Sequence, residues 1–209
     1  MSYDYHDAAM DEAYERLSEE LYPGHKAQAI IEFTYERLRS YYLQNTELLV
    51  PAVRTYRTAK SLLEAKQASA AIVFAASAIE LFLKACLLRP VVAGLVHSES
   101  VATLVVESAL SQTGFKRYEK LLAGLFKELT QLDISEIVRA GASKPLLEEA
   151  SALQERRNAV VHRGADATQE EAVTAYLVAT AVFNEVLAIV LRELGLSIKK
   201  GGELVDDEA

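Results

Sequence analysis

The stretch ASAAIVFAASAIELFLKACLLR at residues 68–89 decides the fold. It is apolar on nearly every side except at Glu80 and Lys84, which is typical of a central, buried helix. Pro90 should end this helix, because proline lacks an N–H and clashes with the preceding turn. The two charges leave no uncharged run long enough to span a bilayer, so we expect a core helix and no membrane association.

Helices are also predicted on both sides of this stretch, from apolar spacing and from the residues that begin and end helices. The predicted segments are 6–21, 26–43, 49–65 and 144–163, a last long helix at 168–195, and shorter pieces at 99–111, 116–130 and 133–140. Thr168 and Glu171 have capping-box spacing, and Gly164 should cap the helix before them. The apolar stripe expected to be buried along the last helix is Val173, Tyr176, Leu177, Thr180, Phe183, Leu187, Val190 and Leu194.

Together these segments predict an all-α fold. Two helical pairs, each joined by a short connection, indicate an up-and-down four-helix bundle. The predicted parts are a helical arm at 1–46, the bundle at 47–196 with a helical insertion at 91–143, and a flexible acidic tail at 197–209.

Cysteine and histidine usage bears on cofactors. Cys86 is the single cysteine of the chain, so neither an intramolecular disulfide nor a CxxC metal site can form. His6, His25 and His97 have no spacing that suits metal ligands, and we expect neither a metal nor another cofactor. The acidic start carries no basic, apolar signal segment, so a cytoplasmic location is expected.

The charge of the chain is unevenly distributed. Its net charge is −8, but residues 47–90 carry six basic and three acidic side chains, and residues 139–163 carry five and three. The acidic excess is greatest at the two ends. A local basic patch that attracts nucleic-acid phosphates is therefore compatible with an acidic protein.

An arginine interrupts the apolar spacing of the helix predicted at 144–163. The preceding positions at that spacing are Leu146, Ala150 and Leu153. Arg157 follows where leucine would be expected, and a buried guanidinium needs a partner. Asn158 and His162 are four residues apart and about 40° apart around the helix, whereas Arg157 and His162 are about 140° apart. A site that uses both is therefore easier to complete with a second chain.

Arginine, asparagine and histidine together suit metal-free cleavage of RNA. The ribose 2′-OH is the nucleophile, and a histidine can take or give a proton near neutral pH. An arginine can hold the scissile phosphate with two hydrogen bonds and stabilise its growing charge. On chemistry alone the favoured interpretation is a structural polar cluster, since His162 and Arg163 near a helix C-terminus suit the helix dipole.

The segment RNAVVH at 157–162 resembles the R-[polar]-x(3)-H signature of HEPN domains, which occur in many prokaryotic toxins and defence ribonucleases. The segment AIELFLKA at 78–85 resembles the central helix that precedes the motif in that family. The resemblance covers about residues 47–90 and 144–195. It implies a homodimer in which both motifs face one cleft. It also implies metal-independent cleavage of tRNA or mRNA in single-stranded regions, which leaves 2′,3′-cyclic phosphate ends.

The resemblance also implies roles for the motif residues. His162 would be the general acid or base, Arg157 would bind the phosphate, and Asn158 would orient one of them. Toxic members of the family usually come with an antitoxin. In one branch a nucleotidyltransferase modifies a tyrosine two residues after the histidine, where this chain has Gly164, so that form of control is not expected.

Other charged residues have two interpretations each. The candidates for RNA contact are Arg156, Arg163, Arg54, Arg57 and Lys60. Their alternative role is that of solvated helix charges. Glu80 and Lys84 are spaced for an intrahelical ion pair, and the alternative is that Glu80 pairs with Arg157 and fixes its orientation.

Three functions remain open from the sequence. The first is an endoribonuclease of the HEPN type. The second is a catalytically inactive HEPN module for dimerisation or for binding a nucleotidyltransferase or another defence protein. The third is a nucleotide-binding helical sensor that uses Arg157 and His162 on a small ligand.

Overall fold

The computed structural model describes residues 32–95 and 115–207, together with Arg16, Gly24, His25, Gln28 and Ala29. The chain divides into two units, Met1–Arg37 and Leu38–Ala209. All described residues of the first unit are helical. The boundary lies before residue 46, where the sequence placed the end of the arm. The helix predicted at 99–111 and nearly all of that at 6–21 lie outside the described residues.

The second unit is mostly helical, which confirms the all-α prediction. Residues 38–44 form its first helical segment. The helices that follow are α1 (Val50–Glu64), α2 (Ala68–Glu80), α3 (Arg89–Leu95), α4 (Phe115–Thr130), α5 (Leu146–Arg163), α6 (Gln169–Ala181) and α7 (Ala188–Glu193). Two π-helical segments, Leu81–Leu88 and Val182–Leu187, continue α2 into α3 and α6 into α7. Pro51 lies in the first turn of α1, where a residue without a backbone N–H costs no hydrogen bond.

Helix α2 lies at the centre of this unit and packs against α1, α5 and α6. Its fully covered side chains include Ala71, Ile72, Ala75 and Ala78. Small alanine side chains allow neighbouring helices to approach closely. The prediction of a central, buried helix at 68–89 is therefore confirmed.

Pro90 does not end this helix, contrary to the sequence prediction. The helix continues through it to Leu95. Proline cannot donate to the carbonyl of residue 86, four positions earlier. The hydroxyl of Tyr42 donates to that Cys86 carbonyl over 2.7 Å, and the π-helical turns before the proline shift the backbone register. A side chain distant in sequence thus binds a buried carbonyl in the turn that contains the proline.

The buried face of α6 differs from the predicted stripe. Val173 and Leu177 are 41% and 44% exposed. The residues that α6 buries are Ala172, Ala175, Val178, Ala179 and Ala181. Because α2 presents alanines to α6, the closest packing uses the small residues of both helices and leaves two larger ones outside. The predicted stripe is buried further on, at Leu187, Val190 and Leu194.

The end of the described chain is a β-hairpin, where the sequence analysis expected a flexible tail from residue 197. Strand β1 (Leu196–Ile198) pairs antiparallel with β2 (Leu204–Asp206). Leu196 and Leu204 are buried, and the Leu204 N–H donates to the Thr46 carbonyl over 2.9 Å. Two hydrogen bonds of 2.7 Å also join Arg39 to Asp206. The burial of the two leucines and these long-range hydrogen bonds stabilise the hairpin, although the composition of the segment is acidic.

The described part of the predicted insertion at 91–143 contributes to the core. Helix α4 packs against α5 and α7 and buries Tyr118, Leu122 and Phe126. At 133–140 the predicted helix is reduced to a 3₁₀ turn, Ile134–Glu136, whose start Asp133 caps by accepting from the Ser135 N–H. Because the Asp133 side chain binds a backbone N–H two residues ahead, it favours a short turn over a longer helix.

Two helical runs, Ala68–Gly94 and Gln169–Glu193, are long and apolar enough to cross a membrane by length and composition. A core helix of a soluble protein passes the same test. In the first run, 61% of the most apolar window is buried inside the molecule.

Candidate functional site

The motif residues lie in the last two turns of α5. Gly164 ends the helix in the left-handed conformation, with φ of 63°, and its N–H donates to the Ala159 carbonyl. This confirms the predicted cap. The last turn carries His162 and Arg163, cations that favour the negative end of the helix dipole.

Arg157 is half-buried and binds its neighbour in the chain. Its Nη1 donates to the Asn158 side-chain oxygen over 3.0 Å. Among the residues that the structure describes, no carboxylate forms an ion pair with Arg157. The position continues the apolar spacing of α5, but it lies near the helix end, where the core no longer covers it. Its guanidinium is therefore held by a neutral partner and can still bind an anion.

Arg157, Asn158, Val161 and His162 form one continuous patch, which we call the motif patch. Arg157 and Val161 are neighbours at i and i+4, as are Asn158 and His162, and together the four positions cover an arc of about 140° around the helix. Asn158 and His162 are exposed. Val161 lies between the arginine and the histidine and is 47% exposed. The patch therefore presents a cation, an amide, an apolar side chain and an imidazole side by side.

Arg156, a predicted RNA contact, is engaged elsewhere. Its guanidinium makes two hydrogen bonds of 2.9 Å with the Glu171 carboxylate and a third with the Asp166 carbonyl. The hydrogen bonds to Glu171 raise the pKa of Arg156, and those from Arg156 lower the pKa of Glu171. Glu171 also completes the capping box with Thr168, which the sequence predicted. In the described structure Arg156 ties α5 to the start of α6, and Arg163 is exposed.

Glu80 and Lys84 form the intrahelical pair and not the alternative pair with Arg157. Lys84 Nζ lies 2.7 Å from the Glu80 carboxylate and 5.1 Å from the centre of the Tyr118 ring. Burial, and secondarily the negative charge of Glu80, raises the pKa of Tyr118. These residues anchor α4 to the π-helical segment Leu81–Leu88 and do not contact the motif patch.

The Arg54, Arg57 and Lys60 face of α1 is separated from the motif patch along the helix axes. Gln169 donates to the Leu63 carbonyl over 2.9 Å, so the end of α1 lies beside the start of α6, where the motif patch also lies. Arg54 and Arg57 line cavities next to Gly201 of the hairpin, and no residue of the motif patch lines them. Lys60 is nearer the motif end, and its ammonium lies 3.9 Å from Glu64.

An aromatic cluster and the cavity beside it were not predicted from the sequence. Tyr56 stacks on Tyr176 with ring centres 5.1 Å apart and on Phe183 at 6.2 Å. Its hydroxyl bonds Tyr176 and Thr180, each over 2.8 Å, and burial raises its pKa to about 12. The tyrosines and the phenylalanine of this cluster can be read from the sequence. The π-helical segment that turns Phe183 toward Tyr56 cannot.

Potential metal ligands and similarity to known proteins both bear on the identity of the site. Within the described ranges, no group of three or more His, Cys, Asp or Glu residues could hold a metal ion. No protein-family model, no curated protein and no solved structure matches the chain. The interpretation of the motif patch therefore rests on its own geometry and chemistry.

Proposed function

We propose that this protein is a cytoplasmic, metal-independent endoribonuclease of the HEPN type. The supporting observation is the Arg157–Asn158 hydrogen bond of 3.0 Å on an exposed helix end that also presents His162. The arrangement of α1, α2, α5 and α6 around a shared alanine-rich interior is compatible with the HEPN-like four-helix bundle. The substrate class is RNA in single-stranded regions, such as those of tRNA or mRNA.

In the proposed reaction the ribose 2′-oxygen attacks the adjacent phosphorus and the bond from phosphorus to the 5′-oxygen breaks. His162 accepts the proton of the 2′-OH, and an acid, His162 of a second copy, gives a proton to the leaving 5′-oxygen. Arg157 stabilises the charge on the non-bridging phosphate oxygens. Asn158 orients the guanidinium through its side-chain oxygen. The products are a 2′,3′-cyclic phosphate and a 5′-hydroxyl, and no metal enters the step.

A homodimer completes this site. Arg157 and His162 are about 140° apart on α5, so one copy aims them in different directions. A second copy that packs on Val161 would bring the arginine of one chain toward the histidine of the other. An exposed apolar side chain between polar ones is typical of the contacts that such an interface buries.

Incubation of total RNA with the purified protein in EDTA tests this proposal. We expect cleavage with cyclic phosphate ends and a loss of about a hundredfold or more in rate on His162→Ala or Arg157→Ala. His25→Ala is the matched histidine control and should cleave as the wild type does. Undiminished cleavage by both motif variants, in preparations free of host nuclease, would overturn the assignment.

A second candidate function is a non-catalytic interaction module. The exposure of Val161 and the engagement of Arg156 by Glu171 favour it, because an exposed apolar side chain suits protein contact and an arginine bound to a carboxylate is a weaker RNA contact. Its partner would be an antitoxin such as a nucleotidyltransferase, or another defence protein. Growth arrest on expression that His162→Ala abolishes favours the nuclease. Harmless expression without RNA decay, in cells that lack any inhibitor, favours the module.

A further inference from the structure

A cavity of about 420 Å³ lies between α1, α7 and the hairpin. Its volume falls within the range of small-molecule sites. The apolar and aromatic side chains that line it are Val53, Tyr56, Phe183, Leu191, Leu196 and Ile198. None of the four residues of the motif patch is among those that line the cavity. The cavity is therefore a separate site.

The hairpin wall of this cavity is firmly placed. Gly202 packs so closely on α1 that an added Cβ would lie 3.0 Å from Val50 Cα and from a Val53 methyl group. The Arg39–Asp206 pair holds β2 from the other side. On the opposite wall, the π-helical segment Val182–Leu187 presents Phe183, nearly parallel to the Tyr56 ring at 9°. Such π-helical segments occur often at functional sites.

Basic side chains surround the cavity of this acidic protein. Its charged lining consists of Arg57, Arg192, Lys199 and Lys200 against the single carboxylate of Asp207, a net charge of +3. Among the described residues, none of these four cations is in an ion pair. Arg54 extends the patch into an adjoining cavity that shares Arg57. Since the chain as a whole carries −8, this concentration of unpaired cations favours an anionic ligand.

We propose that the cavity binds a small aromatic monophosphate, a ligand that carries one flat ring system and one phosphate group, such as a nucleoside monophosphate. The ring would pack on the aromatic side chains Tyr56 and Phe183, which line the cavity. The phosphate would be held by Arg57 and Arg192, with the lysines of the hairpin turn as further contacts. The site uses none of the motif patch and is independent of the proposed nuclease.

Calorimetric titration of the full chain with adenosine 5′-monophosphate tests this site. We expect adenosine and inorganic phosphate to bind at least about tenfold more weakly than the monophosphate, because each offers only half of the contacts. Arg57→Gln and Arg192→Gln should each weaken monophosphate binding by about tenfold. All of these side chains are exposed, so the variants should keep the wild-type melting temperature.

Lys120→Gln, an exposed cation on α4, is the matched control and should bind as the wild type does. Arg157→Ala should also bind normally, which separates this cavity from the motif patch. Any of three results overturns the proposal. They are no monophosphate binding at millimolar concentration, binding that both arginine variants leave unchanged, and inorganic phosphate binding as tight as that of the monophosphate.

Discussion

The guanidinium of Arg156 faces the carboxylate of Glu171 with two hydrogen bonds of 2.9 Å, across the turn that joins α5 to α6. Glu171 is also the third residue of α6, where it accepts from the Thr168 N–H. One carboxylate thus caps the start of α6 and fixes the end of α5 that carries the motif patch. The orientation of the proposed site depends on a residue next to the motif and not only on the motif.

Arg156→Gln should lower the thermal stability at neutral pH and make it less sensitive to acid. The pKa of Glu171 is lowered in the folded state, so its contribution is present above the ordinary glutamate pKa and is lost as the pH falls through the folded value. The difference in melting temperature between wild type and variant should therefore shrink from about pH 7 to about pH 3. Lys60→Gln is the control, because it removes the exposed Lys60–Glu64 ion pair, whose charged atoms are 3.9 Å apart. A difference that stays constant with pH would contradict this role of the pair.

Tyr42→Phe should lower the free energy of unfolding by about 1–3 kcal/mol. The substitution removes the 2.7 Å hydrogen bond to the buried Cys86 carbonyl, which Pro90 cannot satisfy. Urea unfolding followed by circular dichroism measures the change. Tyr41→Phe, on the neighbouring half-buried ring, should change the free energy of unfolding far less. Equal effects of the two variants would show that the continuation of the helix through Pro90 does not need the Tyr42 hydroxyl.

Gly202→Ala should destabilise the hairpin more than Gly201→Ala does. Both glycines have a positive φ, 99° and 123°, so alanine is strained at either position. Only at Gly202 would the added Cβ meet the α1 backbone, 3.0 Å from Val50 Cα. We expect a cost of about 1–2 kcal/mol for the strain shared by both and a further loss from the clash at Gly202. The rate of proteolysis within 196–207 is the measurement, and similar rates for the two variants would contradict the close packing.

Val161→Asp should convert the proposed dimer into a folded monomer and abolish RNA cleavage. The valine lies in the middle of the motif patch, and a carboxylate buried there by a second copy would be unpaired. Val138→Asp is the matched control, because Val138 is also 47% exposed but lies outside α5. Analytical ultracentrifugation gives the oligomeric state and circular dichroism the fold. A dimer that persists in Val161→Asp places the interface elsewhere.

Features that depend on near neighbours in the chain were predictable from the sequence. The end of α5 at Gly164 and the Thr168–Glu171 capping box match the prediction because their hydrogen bonds span only a few residues. The apolar pattern at 68–89 also predicts the central helix. A helix that is apolar on nearly every side is stable only where other parts of the protein cover all of its faces. The Arg157, Asn158 and His162 motif is likewise visible as a pattern, and its chemistry follows from the residue types.

Features that depend on distant partners were not predictable. The expected end of the helix at Pro90 is wrong: the helix continues there after π-helical turns, and Tyr42, distant in sequence, donates to the Cys86 carbonyl. The buried face of α6 is rotated relative to the predicted stripe. Helix α6 packs on the alanine-rich helix α2 mainly through its own alanines, and Val173 and Leu177 remain exposed. In the same way, Arg156 is a candidate RNA contact in the sequence and a partner of Glu171 in the structure.

By itself, then, the sequence determined the helical class, the main helix boundaries and the presence of an Arg157–His162 motif at a helix end. Local hydrogen bonds and apolar periodicity carry that information. The tertiary structure alone decided which face α6 buries, that the acidic end folds back as a hairpin, and that Arg57 and Arg192 line the same cavity. These outcomes depend on which surfaces fit together across long stretches of chain, because burial and close packing stabilise a contact only between the partners that the whole fold brings together.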